Sequence, residues 1–477
     1  MTLTVTDLFC GAGGASSGLV EAGLDVVLAA NHWKTAIDTH SANHPGTEHL
    51  CADINNLDMR RLPRTDVLWA SVICTEISPA GGRRRTRGQL ALMEHGPIAS
   101  EGFERTRATA LDVIRATEVH RYPVVVVENV VEFVTDWDLF DWWRQGMHLL
   151  GYTSQITCVS SAHVAGPGNA AAAQWRGRIY IAFTRTGVRV PDLAPRPVAW
   201  CPTCGVDVAA VQAWNPGRWV GEYRQQYRYV CPNTACRHAT VEPYVNPAAD
   251  VIDWSDPGRR IGDRPLREFF ADKQRTRSLG YHHLAPATLA KVAHGLALYS
   301  GAPSLVHVGG LNRAAGPDAV TTPMRTLTTR DTTAVMTPPD PHDGPAGAFI
   351  AELRGGGSTH RPVTHPLATI AASGNHHGLV IPYRRDTLPY PTDRPLHTLS
   401  TKDSGALVQG HPVAVEDAWF RMIQPREQLL AQRFPPGYVV AGNKGEQTMQ
   451  AGNAVSVNVA RWIGDAITTA LDSRAAA

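Results

Sequence analysis

The stretch Leu3-Thr4-Val5-Thr6-Asp7-Leu8-Phe9-Cys10-Gly11-Ala12-Gly13-Gly14 decides the fold. Its first six residues are apolar and β-branched enough for a buried strand. Its glycines let the backbone turn tightly and a ligand approach, and residues 15–22 continue as a helix. No third glycine follows at the spacing of the dinucleotide fingerprint, so a pyrophosphate ligand is not indicated.

Further strand-like runs at residues 25–30, 66–71, 123–128 and 178–184 alternate with helix-like segments at 33–43 and 103–121. In the last of these, Ala108, Leu111, Ile114 and Val119 recur at roughly helical spacing. This alternation predicts an α/β fold, a Rossmann-like parallel sheet, over residues 1–184. Over 185–415 Pro, Gly, Trp and Thr replace the periodic segments, which predicts an inserted β-rich domain. Within it Pro323-Met324-Arg325-Thr326-Leu327, Pro366-Leu367-Ala368-Thr369-Ile370 and Pro395-Leu396-His397-Thr398-Leu399 resemble one another. They predict similar hairpins forming a recognition surface over about 320–410. Residues 416–477 regain helical texture, with Pro425 suited to a first turn and an amphipathic stretch over 453–471, as expected of a segment returning to the first domain.

The 477 residues carry 45 Lys plus Arg against 43 Asp plus Glu, and 43% are hydrophobic. That excludes a disordered charged tail, and no apolar run approaches the ~18 residues of a membrane span. A globular protein of two or three domains is expected, without membrane association. The N-terminus lacks the pattern of a signal peptide, so the expected location is cytoplasmic. Near-neutral charge gives no global attraction to nucleic acid and leaves local patches such as Arg83-Arg84-Arg85-Thr86-Arg87.

The eight cysteines are unevenly spread. Cys201-Pro202-Thr203-Cys204 and Cys231-Pro232-Asn233-Thr234-Ala235-Cys236 form two knuckles separated by 26 residues. Four thiolates at these spacings read as a tetrahedral structural zinc ribbon over about 200–237. Between the knuckles, Trp214, Arg218, Trp219, Tyr223, Arg224, Tyr227, Arg228 and Tyr229 suit either nucleic acid contact or the ribbon's own core. Elsewhere Cys74 follows a predicted strand, which puts a thiol at the carboxyl edge where such sheets bind ligands. Glu128, after Val124 to Val127, reaches the same edge, and an acid beside a nucleophile is a reaction-site arrangement. In Gln174-Trp175-Arg176-Gly177-Arg178 the alternate arginines could fix an anion or a carboxylate. Asp53 either bonds an adenine amino group or caps a helix.

In order and spacing these elements resemble the cytosine-C5 DNA methyltransferase family. The resemblance covers 1–184 and 416–477, and the region between corresponds to that family's target-recognition domain. It implies S-adenosylmethionine at the turn of Phe9, Gly11 and Gly13, with Asp53 at the adenine and His32 at the ribose. Asn453, in Gln450-Ala451-Gly452-Asn453-Ala454-Val455, would close the cofactor pocket. Pro425-Arg426-Glu427 with Phe434-Pro435 resembles a further family motif. Cys74 would add to C6 of a cytosine flipped out of double-stranded DNA, Glu128 would serve N3, and Arg176 and Arg178 would position both. The resemblance further implies a monomer on DNA, at the nucleoid of a bacterial or phage-infected cell, in a restriction-modification setting.

This chain departs from the family in places. Ile73 and Thr75 stand where the family has proline and glutamine, Glu76 adds a carboxylate near the thiol, and His32 replaces a ribose-binding glutamate. An RNA methyltransferase of the same architecture is the rival among enzymes, and the large insert argues against it. The altered Cys74 loop suggests a DNA-binding homologue without catalysis, and His32 a variant transferring a larger group.

Overall fold

The computed structural model describes residues 2–72, 98–256, 258–264 and 419–472, with short pieces between 284 and 417. Strand β1 (Thr4–Leu8) lies inside a seven-stranded sheet. On one side it pairs in parallel with β2 (Asp25–Asn31), which pairs with β3 (Glu48–Cys51). On the other it pairs with β4 (Val67–Ser71), followed by β5 (Val124–Asn129), again all parallel. Beside β5 runs β8 (Gly177–Arg185), and β6 (Tyr152–Ser160) forms the edge.

Alternation along the strands builds two cores. Val125 and Val127 face a layer that includes α3 (Ile98–His120) and α5 (Phe140–Leu149), through Ala110, Val113, Phe140 and Trp143. Val124 and Val126 face α1 (Gly14–Glu21) and a C-terminal helix, through Ala15, Leu19, Ile463 and Ile467. A helix α2 (Lys34–Asn43) links β2 to β3, and the short α4 (Glu132–Thr135) follows β5.

The expected α/β sheet is present, with two corrections. The run at 178–184 is antiparallel to β5, because β8 returns from β6 through a connection without a crossover helix. The stretch 453–471 is not one helix: after a short α6 (Pro425–Leu430), α7 (Lys444–Asn453) ends and α8 (Val457–Asp472) begins beyond a break. The break lets backbone meet backbone. A Cβ on Gly14 would lie 2.0 Å from the carbonyl oxygen of Val455, and one on Gly18 would lie 2.4 Å from that of Val457.

In the inserted region β9 (Val198–Cys201) pairs with β10 (Val206–Ala209), and β11 (Val211–Trp214) with β12 (Tyr227–Val230), all antiparallel. A second sheet joins β13 (Arg259–Arg260), β14 (Ala334–Met336), β15 (Phe349–Glu352), β17 (His377–Ile381) and β18 (Trp419–Met422). Of the expected hairpins, 323–327 and 395–399 lie outside the described residues. In 366–370 the described pair β16 (Leu367–Ala368) runs parallel to β7 (Gln174–Trp175), a long-range ladder and not a local hairpin.

Pro425 does open a helix, with Gln424 and Glu427 forming its capping box. Buried Arg421 donates to both Glu427 oxygens, at 2.7 and 2.8 Å, and the N–H of Asp253 donates to the same carboxylate at 2.7 Å. No helix among the described residues is long and apolar enough to cross a membrane.

Candidate active site

The chain leaves β1 for β2 on one side, while β4 pairs on the other, so the crevice at the carboxyl ends of β1 and β4 is the switch point where such sheets take ligands. The turn after β1 is held left-handed at Phe9 (φ 60°), Gly11 (φ 52°) and Gly13 (φ 84°). The Cys10 N–H donates to the Ala30 carbonyl at 3.1 Å, which fixes the turn to β2. Above Gly11 an added Cβ would meet nothing nearer than 4.0 Å, so this side is open to a ligand. At Gly13 it would lie 2.6 Å from the Tyr438 hydroxyl and 3.0 Å from the His40 ring.

Beneath the turn sits a polar cluster that sequence reasoning missed. Ser16 donates to the buried Asp7 carboxylate at 2.7 Å, and a His40 nitrogen lies 2.9 Å from the Ser16 hydroxyl. The other His40 nitrogen is 2.8 Å from His49, and His44 is 3.1 Å from the Ser17 hydroxyl. Burial pushes the Asp7 carboxyl up to about 7, against the Ser16 hydrogen bond. Burial, with His44 and His49 adding, pushes the His40 imidazole down to about 3. The spacing of His40 and His44, four residues apart with His44 just past the end of α2, was readable; the approach of His49 from β3 was not.

His32 and Asp53 stand exposed just beyond β2 and β3. The Asn31 side-chain oxygen accepts from the Trp33 N–H at 2.9 Å, so it is engaged within its own turn. Asp53 caps the short turn Ile54–Asn56, accepting from the Asn55 N–H and the Asn56 amide at 3.1 Å each. Asn453 ends α7 and is exposed.

Glu128 is buried at the end of β5, in register with Ser71 of β4. Cys74, three positions beyond Ser71, lies outside the described residues, as do Ile73, Thr75, Glu76 and Arg83 to Arg87. The Asn129 amide donates to the Val72 carbonyl at 3.3 Å and so ties the start of that loop to β5. The Arg178 Nε stands 3.2 Å from the Glu128 carboxylate. Arg176, only 3% exposed, donates to the Gly452 carbonyl at 3.0 Å and joins this strand to α7. Arginines flanking a strand are usually solvated; here both are buried. Burial pushes the Glu128 carboxyl up, and the Arg178 and Arg176 guanidinium groups pull it back down. The result is a carboxyl able to hold or release a proton beside a fixed positive charge. Glu132, one turn on, is also pushed up by burial, to about 7.

The Sγ atoms of Cys201, Cys204, Cys231 and Cys236 lie within 4.8 Å of one another, and the Asn233 N–H points at the Cys231 sulfur at 3.4 Å. The residues between the knuckles divide. Tyr227 and Tyr229 are buried, whereas Arg218, Trp219, Arg224 and Arg228 are exposed.

A family model described as C-5 cytosine-specific DNA methylase matches residues 3–195 and 366–469, more than half of the sequence. The chain belongs to the C-5 cytosine-specific DNA methylase family. Cys201, Cys204, Cys231 and Cys236 fall between the two matched stretches, outside what the family model covers. The type II methyltransferase M.NlaX of Neisseria lactamica is 40% identical over 91 residues, which is 18% of this chain and 29% of that protein. The type II methyltransferase M.HgiGI of Herpetosiphon aurantiacus is 28% identical over 127 residues, 26% of this chain and 87% of that protein. The chain thus spans under a third of the first relative and most of the second. Among solved structures, a Spodoptera frugiperda DNMT2 mutant aligns over 98% of this chain and 99% of its own, at 12% identity and a TM-score of 0.47.

Proposed function

We propose that this protein is a DNA cytosine-C5 methyltransferase that uses S-adenosylmethionine, acting as a monomer on double-stranded DNA. The observation that carries the reading is the buried Glu128–Arg178 pair, one strand from the β4 end that leads to Cys74. S-adenosylmethionine, when bound, supplies an electrophilic methyl group. The open side of Gly11 suits its approach, and Phe9, Gly13, His32, Asp53 and Asn453 would complete its site. The Cys74 thiolate adds to C6 of the flipped cytosine, while protonated Glu128 donates to N3 and so stabilises the electron density that C5 then uses. Arg178 and Arg176 keep that carboxyl and the base in place. Once C5 carries the methyl, loss of its proton to solvent breaks the C6–S bond and releases the Cys74 thiolate, and N3 returns its proton to Glu128, which restores the aromatic base.

Four sulfurs within reach of one ion, with a backbone N–H directed at one of them, fit a structural zinc held by Cys201, Cys204, Cys231 and Cys236. The division into a catalytic domain over 1–184, a target-recognition domain over 185–415 and a returning segment over 416–477 belongs to the same reading. So do a cytoplasmic, nucleoid-associated location and a role in type II modification.

The test is methyl transfer from S-adenosylmethionine to mixed-sequence duplex DNA, followed by digestion and mass measurement of the nucleosides. Cytidine heavier by one methyl, lost in Cys74→Ala while DNA and cofactor binding persist, is the expected result. The departures at Ile73, Thr75 and Glu76 favour, as a second reading, a homologue that binds DNA without turnover. Binding with no modified nucleoside would establish it, and a heavier adduct would point to a different cofactor.

A further inference from the structure

The ribbon's inward face is packed on the strand that bears the two buried arginines. Tyr229, two residues before Cys231, is wholly buried. The His163 imidazole is enclosed edge-on by three rings, with centroids 4.5 Å away at Tyr223, 4.6 Å at Trp175 and 5.0 Å at Tyr229. Tyr223 also stacks on Trp175, at 5.8 Å and 30°. Trp175 precedes Arg176 directly. Ser161, two residues before His163, donates from its hydroxyl to the Gln174 carbonyl at 2.8 Å and from its N–H to the Arg176 carbonyl at 3.1 Å. Between the arginines, a Cβ on Gly177 would come within 3.3 Å of the Glu222 carboxylate, so the ribbon loop lies against the strand itself.

The cysteine knuckle holds this packing in place. The Cys231 N–H donates to the Ala239 carbonyl at 2.9 Å, and the Val241 N–H to the Tyr229 carbonyl at 3.1 Å. Next in sequence, Glu242 accepts from the Tyr223 hydroxyl at 2.5 Å and from Arg224 at 2.8 Å. On the other side Gln212 donates to the Cys158 carbonyl of β6 at 2.8 Å. A continuous set of contacts therefore runs from the sulfurs through Tyr229 and Tyr223 to His163 and Trp175, and on to Arg176 and Arg178.

We propose that the zinc ribbon is a positioning element of the transfer site, in which Tyr223 and Tyr229 hold the segment that aims Arg178 at Glu128 and ties Arg176 to Gly452. This rests on the roles given above to Glu128 and Arg178. Tyr229 is wholly buried and the half-buried Tyr223 ring is turned towards His163 and Trp175, whereas Arg218 and Trp219 are exposed, so support and recognition use different surfaces of one small module.

The test uses the full-length zinc-loaded chain and has two arms. In hydrogen exchange read by mass spectrometry, chelating the zinc, or replacing Tyr223→Ala with the zinc retained, should speed exchange of the 176–178 amides at least about tenfold. Tyr223→Phe, which keeps the ring, should preserve protection, and peptides from β1 and β2 should not change. In the transfer assay, Tyr223→Ala should lower kcat roughly tenfold with the DNA KM within about twofold. The pH at which Glu128 loses its proton should move upward, since a displaced guanidinium no longer favours the carboxylate. Unchanged protection at 176–178 on zinc removal, or a rise in KM with kcat intact, would overturn the proposal and leave the ribbon a reading module only. If Tyr223→Ala does not fold, chelation of the unaltered chain decides. If the unaltered chain transfers no methyl, the exchange arm still decides this proposal, and the functional reading alone has failed.

Discussion

Arg178 directs its guanidinium at Glu128 across 3.2 Å, with both side chains buried where the end of β5 meets the start of β8. A carboxyl so placed gains from both states, proton-bearing through burial and ionised through the arginine. Glu128→Gln removes the transferable proton while its carbonyl oxygen can still accept from Arg178. We expect kcat to fall by about 10²- to 10⁴-fold in single-turnover measurements, with cofactor affinity unchanged. A rate near that of the unaltered protein would move the acid role elsewhere, with Glu132 the first residue to examine.

Gly14 and Gly46 separate packing from composition. A Cβ on Gly14 would strike the Val455 carbonyl oxygen, whereas one on Gly46 would meet nothing within 4 Å. Gly14→Ala should cost roughly 3 kcal/mol or more, because backbone on both sides must shift. Gly46→Ala should be near neutral. Urea unfolding of both variants checks this, and equal midpoints would show that α8 can retreat without penalty.

The strand, glycine turn and helix of residues 4–21 were legible because a short apolar, β-branched run and a glycine turn are local signals. The same holds for Val124 to Val127. Strand β6 was missed: Tyr152–Ser160 is only partly buried over its first half and mixes polar with apolar residues. The direction of β8 depends on how its connection runs, which no local pattern encodes. At the site, the order of Glu128, Arg176 and Arg178 was visible, but not the burial of the arginines, which comes from the insert and α7 closing over them. The contact of His40 with His49 joins a helix to a strand, and nothing in either segment announces it.

Asp7 and His40 pull stability in opposite directions over one pH range. Folded Asp7 keeps its proton to about 7, against 3.8 ordinarily, so the folded state binds more protons in that window and stability falls as pH rises through it. Folded His40 stays neutral down to about 3, against 6.5 ordinarily, so the unfolded state binds more protons there and stability falls as pH drops. His44 and His49 are shifted the same way as His40. Asp7→Asn removes the first slope. Its stability should rise more steeply from pH 4 to 6.5 than that of the unaltered chain, with the gain over that chain largest above pH 7 and at most about 4 kcal/mol. Parallel slopes in the two proteins would mean that Asp7 titrates as an ordinary carboxyl.

The His32 imidazole offers a ribose at most one acceptor nitrogen, and the neighbouring Asn31 oxygen already accepts from the Trp33 N–H. An ionised glutamate would accept two charge-assisted hydrogen bonds. His32→Glu should therefore tighten S-adenosylmethionine binding by about tenfold in calorimetry, a gain of roughly one such bond. Modified cytidine should stay heavier by a single methyl, since the ribose is remote from the transferred group. No change in affinity would place the ribose elsewhere.

The seam between α1 and the break before α8 also orders events during synthesis. Gly14 and Gly18 receive backbone from Val455 and Val457, more than four hundred residues later. Until the ribosome has delivered that segment, the sheet face bearing Val124 and Val126 has α1 but lacks α8, and the glycine turn lacks Tyr438 beneath it. The nascent amino-terminal half thus emerges with an unfinished surface that chaperones and proteases can bind. A messenger cut short before α8 then yields a polypeptide open to degradation, and the cell is spared a half-built enzyme holding its cofactor turn in working order.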